Sequence, residues 1–124
     1  MISKWLKMMM KITKMMTTSD YLHDIMHDLI TLRDMALSHC DGNELADECE
    51  RYVCTYDTRI LLLLQNEQHG KLINASALLW LERANNKFRD WAFAFKHGTD
   101  VEEELSKFMY DIAFQIDLQQ ALDL

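Results

Sequence analysis

The sequence predicts an all-α fold, an antiparallel four-helix bundle with an additional amphipathic N-terminal helix, on three observations. Proline is absent and glycine occurs three times in 124 residues, which removes most of the punctuation that β-sandwiches, barrels and long loops require. The glycines stand 28 residues apart at Gly42, Gly70 and Gly98, each where an apolar helical pattern stops. Every interval has room for a helix of about 24 residues, roughly 36 Å long, and a short connection. Equal helices on short connections pack antiparallel. Finally, 49% hydrophobic and 27% charged side chains describe a globular chain with one core, neither disordered nor membrane-spanning.

The chain divides into residues 1–16 and a bundle domain over 17–124. In the first segment Lys4, Lys7, Lys11 and Lys14 fall within an arc of about 80°, opposite Ile2, Trp5, Met8, Met9, Ile12, Met15 and Met16. This is the pattern of a basic amphipathic helix. The alternative is a leader without a role, because the methionines at 8, 9, 10, 15 and 16 are internal start points. Lysines and apolar residues interleave there, so the segment lacks the separate regions and cleavage site of a signal peptide.

Helix 1 is expected from the hydroxyl and acid caps of Thr17-Thr18-Ser19-Asp20 to Cys40, stopped by Asp41-Gly42-Asn43. Helix 2 follows from Glu44 to His69, with Leu45, Cys49, Val53, Tyr56, Ile60, Leu63 and Leu64 recurring at helical steps. Helix 3 runs from Ala75 to His97 behind Asn74 as its cap. Helix 4 opens with a capping box at Thr99-Asp100-Val101-Glu102.

Thirteen basic against twenty acidic side chains give a net charge of −7, unevenly distributed. Basic helix 3 lies between acidic helices 2 and 4, which favours edge ion pairs. Some polar residues fall inside apolar arcs. Counting back from Gly42 brings Arg33 level with Glu50, and counting from Gly70 brings Asp57 level with Asn85 and Asn86. Both sets are expected to pair and to penalise a wrong register.

Chemistry-bearing motifs are sparse. Cys40, Cys49 and Cys54 are an odd number without a Cys-x-x-Cys pair, which argues for a reducing, cytoplasmic setting with core thiols at Cys40 and Cys49. His23 and His27 stand four apart, a spacing at which two imidazoles can share a metal, but on a water-facing strip. A metal-binding bundle on this pair is one alternative reading. The Glu-x-x-His pairs of di-iron bundles, the haem-attachment motif, the nucleophile elbow and the phosphate loop are missing. Neither an enzyme nor a cofactor is expected. Arg83, Lys87, Arg89 and Lys96 interleave with aromatics on helix 3, yet the surrounding acidity argues against direct nucleic-acid binding. Peripheral membrane attachment through residues 1–16 is the second alternative, and four lysines would make it modest.

The informative anomaly is a surplus of apolar surface. Helix 4 carries a core face of Val101, Leu105, Phe108, Met109, Ile112 and Ile116, and a second strip of Tyr110, Phe114, Leu118 and Ala121. Leu79, Phe93 and Leu62 also turn away from their core arcs. An aligned apolar strip marks an interface. Its expected occupant is residues 1–16 folding back, the same segment from a second copy in a homodimer, or a foreign protein. The function this suggests is a small acidic, non-enzymatic regulator or inhibitor of the immunity, antitoxin or anti-defence type. It would bind a protein target through Tyr110, Phe114 and Leu118, with Leu79 and Phe93.

Overall fold

The computed structural model describes residues 17–68 and 74–122. Among the described residues there are four helices and no strand: α1 (Thr18–Leu37), α2 (Gly42–Gln68), α3 (Ala75–Lys96) and α4 (Glu102–Leu122). The amphipathic helix expected over 1–16 and the stop expected at Gly70 lie outside the described residues.

α1 begins at Thr17 with a capping box. The Asp20 amide donates to Thr17 Oγ1 at 3.2 Å, and the Thr17 amide donates to Asp20 Oδ2 at 2.8 Å. The helix ends three residues earlier than its pattern suggests, at Leu37. His39 takes the left-handed conformation at φ 63°, and the amides of His39 and Cys40 donate back to the carbonyls of Ala36 and Met35 at 3.2 Å each. That is a Schellman closure, made here without glycine.

Gly42 therefore does not stop α1. It is the first residue of α2, capped by Asp41, whose Oδ1 accepts from the Glu44 amide at 2.9 Å. The reason for glycine is a close approach: a Cβ there would collide with the Phe95 carbonyl oxygen of α3. At the far end of α3 the glycine pattern holds. Gly98 sits at φ 71°, and the Thr99 amide donates to Ala94 O at 2.9 Å. This use of Thr99 overturns the expected capping box. Asp100 Oδ1 instead accepts from the Glu102 amide at 2.9 Å, and α4 starts after Val101. Asn74 caps α3 as expected, accepting from the Ala77 amide at 3.0 Å.

The helices share one core, with Ile25 and Leu29 from α1, Cys49 and Tyr56 from α2, Phe88 and Trp91 from α3, and Leu105 and Ile112 from α4. An aromatic column crosses it: Phe88 lies 4.9 Å from Tyr52, 5.5 Å from Tyr56 and 5.7 Å from Trp91. Trp91 meets Phe108 edge-on at 6.2 Å. Such tilted and edge contacts suit ring quadrupoles.

The backbones of α2 and α3 pair most extensively, those of α1 and α4 pair second, and α1 also approaches α3 and α2. α2 and α3 run antiparallel in a register set by polar pairs. Lys96 Nζ donates to Glu50 Oε1 at 2.5 Å. Seven residues along α2 and seven back along α3, Arg89 Nη2 donates to both Asp57 oxygens at 2.9 Å. Asn85 Nδ2 donates to Asp57 Oδ1 at 2.7 Å, as the sequence suggested, while Asn86 faces the groove between α3 and α4.

The other expected pair does not form. Arg33 is half exposed, with its nearest acid Asp34 at 3.8 Å, and Glu50 is taken by Lys96. The cause is the pairing of helices: α2 leans on α3 and α1 leans on α4, so the two residues face different neighbours.

Candidate interaction face

α4 is apolar on two sides. Val101, just before it, and Leu105, Phe108 and Ile112 are buried, with Met109 and Ile116 packed against the core. On the opposite side Tyr110 is 81% exposed, Phe114 62% and Leu118 41%, and Leu122, 70% exposed, continues the line. Four-residue steps keep these side chains on one slowly winding strip. Ala121, also exposed, lies beside it. In the described chain nothing covers this strip.

The strip has an acidic rim. Glu103, Asp111 and Asp117 are exposed along α4, with Lys107 as the single basic residue of the helix. Lys107 and Asp111 also line a polar groove toward α3, together with Lys87 and Glu104. Glu104 Oε2 accepts from Trp91 Nε1 at 3.1 Å, which satisfies a buried indole and leaves the strip free of that duty.

Leu79 and Phe93 are 51% and 69% exposed. They lie on α3, 14 residues and so about 21 Å apart along the helix, and the Phe93 ring rests on His97 at 4.3 Å. The groove between α3 and α4, lined by Arg83, Asn86, Lys87, Asp90, Phe108 and Asp111, intervenes. The structure thus brings Tyr110, Phe114 and Leu118 together and leaves Leu79 and Phe93 as separate apolar points. Leu62 is half-buried, and its neighbour Leu61 is the more exposed residue.

A second concavity, of about 220 Å³, opens between the end of α1 and the start of α4, lined by Arg33, Ala36, Leu37, Phe95, Val101 and Leu105 among others. Its polar groups, Arg33, Asp100, Glu102 and Ser106, sit on an otherwise apolar wall.

His23 and His27 are exposed. His23 Nδ1 lies 2.8 Å from the Ser19 carbonyl and so donates to it. His27 Nδ1 is 3.8 Å from Asp28 Oδ1. Among the described residues no group of three or more His, Cys, Asp or Glu side chains gathers as a metal site would. Cys49 is buried, Cys40 intermediate and Cys54 exposed, all as free thiols. Burial, with Glu48 and Glu50 adding, pushes the Cys49 thiol up to about 12, which makes it inert as a nucleophile.

One polar cluster went unread in the sequence. Tyr56 Oη donates to Asp28 Oδ2 at 2.6 Å, and Arg59 Nη1 lies 3.3 Å from Asp24 Oδ2. Burial raises the Asp28 carboxyl above its ordinary value, opposed by the Tyr56 hydrogen bond and the Arg59 charge. The signal was available: a buried tyrosine hydroxyl requires a partner, and Asp24 and Asp28 stand four apart at the edge of the apolar arc of α1. Tyr56 is fully buried and Asp28 reaches it from the adjacent helix, so the cluster ties helices together. Among the described residues no helix is long and apolar enough to cross a membrane.

Comparison of the chain with family models, with curated proteins and with solved structures finds no match.

Proposed function

We propose that the chain is a small acidic, non-enzymatic protein-binding regulator or inhibitor, of the immunity, antitoxin or anti-defence type, that occupies a surface of a protein target with the outer face of α4. In this reading the architecture is an antiparallel four-helix bundle carrying an amphipathic N-terminal helix, and its setting is the reducing cytoplasm. The observation that carries it is the alignment of Tyr110, Phe114 and Leu118, all exposed, on the side of α4 away from the core. Covering about 300 Å² of such surface at ~25 cal/mol per Å² favours association by several kcal/mol before ordering costs. Two neighbouring aromatic anchors are typical of the residues that dominate binding energy. The rim of Glu103, Asp111 and Asp117 selects a target with basic residues around an apolar patch and speeds its encounter.

The test compares the immobilised full chain with a Phe114→Asp variant of equal helicity in extract of the native host. A protein retained by the first and lost from the second supports the reading. Retention of the same proteins by both overturns it.

A further inference from the structure

We infer that two copies of this chain associate about a two-fold axis through α3 and α4, the outer face of each α4 seated in the open seam between α3 and α4 of the other. The inference rests on the reading of that face as a docking surface, and it adds a partner that a foreign target must displace.

The seam is the first argument. Helices packed at about 8 to 10 Å between axes bring Cα atoms to roughly 6 Å of each other. No Cα of α3 lies within 8 Å of one of α4, so these two, alone among successive helices, leave their common edge open. Buried Phe108 lines the opening. Among the described residues ten large apolar side chains remain exposed, and six of them, Leu79, Phe93, Tyr110, Phe114, Leu118 and Leu122, stand on the two helices that flank it. The face is about 30 Å long and about 20 Å, two helix diameters, wide, which gives roughly 600 Å² in projection. Accessible area exceeds projection, and the face is thus of the order of the ~800 Å² that each side gives to a stable interface.

Charge selects a second copy. The chain as a whole carries −7, yet the seam is neutral: Arg83, Lys87 and Lys107 line it with Asp90, Glu104 and Asp111. None of the six forms an ion pair with another described residue. Each helix contributes both signs, so the face set against itself meets both signs and little net repulsion.

Reciprocal seating fixes the arrangement. For each α4 to enter the other's seam, the axis must run along the helices. The two α4 are then parallel, and the flank of α4 remote from its own α3 turns toward α3 of the second copy. Asp117 is on that flank, about 120° round the helix from Asp111, which lines the seam. Trp91 reaches Glu104 and Phe108, so opposite counting along α3 and α4 sets Asp117 level with residues 78–82, within a turn of Arg83. The Arg83 guanidinium is held there 5.0 Å from the centre of the Trp80 ring. Asp117 of each copy therefore pairs with Arg83 of the other, twice by symmetry.

The test is sedimentation of the full chain from micromolar to near-millimolar concentration. The parent chain should show monomer and dimer in mass-action equilibrium. Phe114→Asp, at unchanged helicity, should weaken the dimer at least about a hundredfold, because the side chain enters the interface twice. Arg83→Glu and Asp117→Lys should each weaken it at least about tenfold by setting like charges together. An equimolar mixture of these two variants should regain the parent's association, since each reversal then meets the other. A chain that stays monomeric throughout overturns the inference, as do a dimer indifferent to Phe114→Asp and a mixture no tighter than its components. Failure here remains distinct from failure of the functional reading. A monomeric chain that loses its target on Phe114→Asp leaves α4 a docking surface for a foreign protein. A dimer split by Phe114→Asp, with every captured protein retained, overturns the functional reading and leaves the dimer standing. Where both hold, Arg83→Glu, with α4 unaltered, retains more target than the parent chain.

Discussion

Tyr56 donates its phenolic proton to Asp28 across 2.6 Å and so joins the middle of α2 to α1 at a carboxylate that is only 23% exposed. Removing the donor in Tyr56→Phe leaves that carboxylate poorly satisfied, at an expected cost of about 1 to 2 kcal/mol by urea denaturation, the lower part of the range for bonds to charged groups because water still reaches Asp28.

The same carboxylate gives a pH dependence of known sign. Burial holds its proton more tightly in the folded chain than at the ordinary value of 3.8. The folded state then binds more protons, and the contribution of Asp28 to stability falls as pH rises from 3.8 through the raised folded value. Asp28→Asn lacks this slope. Its stability relative to the parent chain should therefore increase with pH across that window, and a flat or decreasing difference would contradict the buried setting.

Gly42→Ala is expected to destabilise, although alanine is about 1 kcal/mol the better helix former. The new methyl would meet the Phe95 carbonyl, and backbone cannot swing aside as a side chain can, so overpacking of roughly 1 to 3 kcal/mol opposes the gain in propensity. Thermal melting decides the sign: a higher Tm in the variant would mean that α2 and α3 do not approach as described.

A double-mutant cycle between Glu50→Gln and Lys96→Met should yield a favourable coupling that shrinks with added salt, since the pair is half exposed. The cycle between Glu50→Gln and Arg33→Met should yield none. Coupling in the second and not the first would restore the pairing that simple counting from the turn suggests.

Alkylation by a maleimide, followed by mass spectrometry, should order the thiols. Cys54, exposed, reacts in the native chain. Cys40 reacts more slowly, its thiol raised by burial and by Glu44. Cys49, buried and raised to about 12, reacts only once the chain unfolds. Native labelling of Cys49 would place it elsewhere than the core.

The four helices of the described residues and the facing of α4 were legible because 3.6-residue periodicity reports directly which side of a helix is apolar. The Asp57 and Asn85 contact was legible because the hairpin of α2 and α3 pairs closely along its length. Arg33 and Glu50 were misplaced by the same reasoning, because it assumes that successive helices pack equally, and here α1 turns to α4. Counting within one hairpin contains no information about the choice of lateral neighbour. Gly42 and Thr99 were misread for a related reason: a glycine or hydroxyl near a boundary can close one helix or open the next, and only the tertiary approach of Phe95 and the fold of the Gly98 turn decide between them. For the face of Tyr110, Phe114 and Leu118, periodicity gave the strip and its exposure, but neither reveals what it meets.

Among the described helices, α1 alone brings its backbone near those of the other three. Taken away, it would leave α4 fastened to the rest by little beyond the edge contact of Trp91 with Phe108 and the indole bond to Glu104. No two-helix remnant containing α4 then has a core of its own. The molecule should melt in a single all-or-none step, with calorimetric and van't Hoff enthalpies equal.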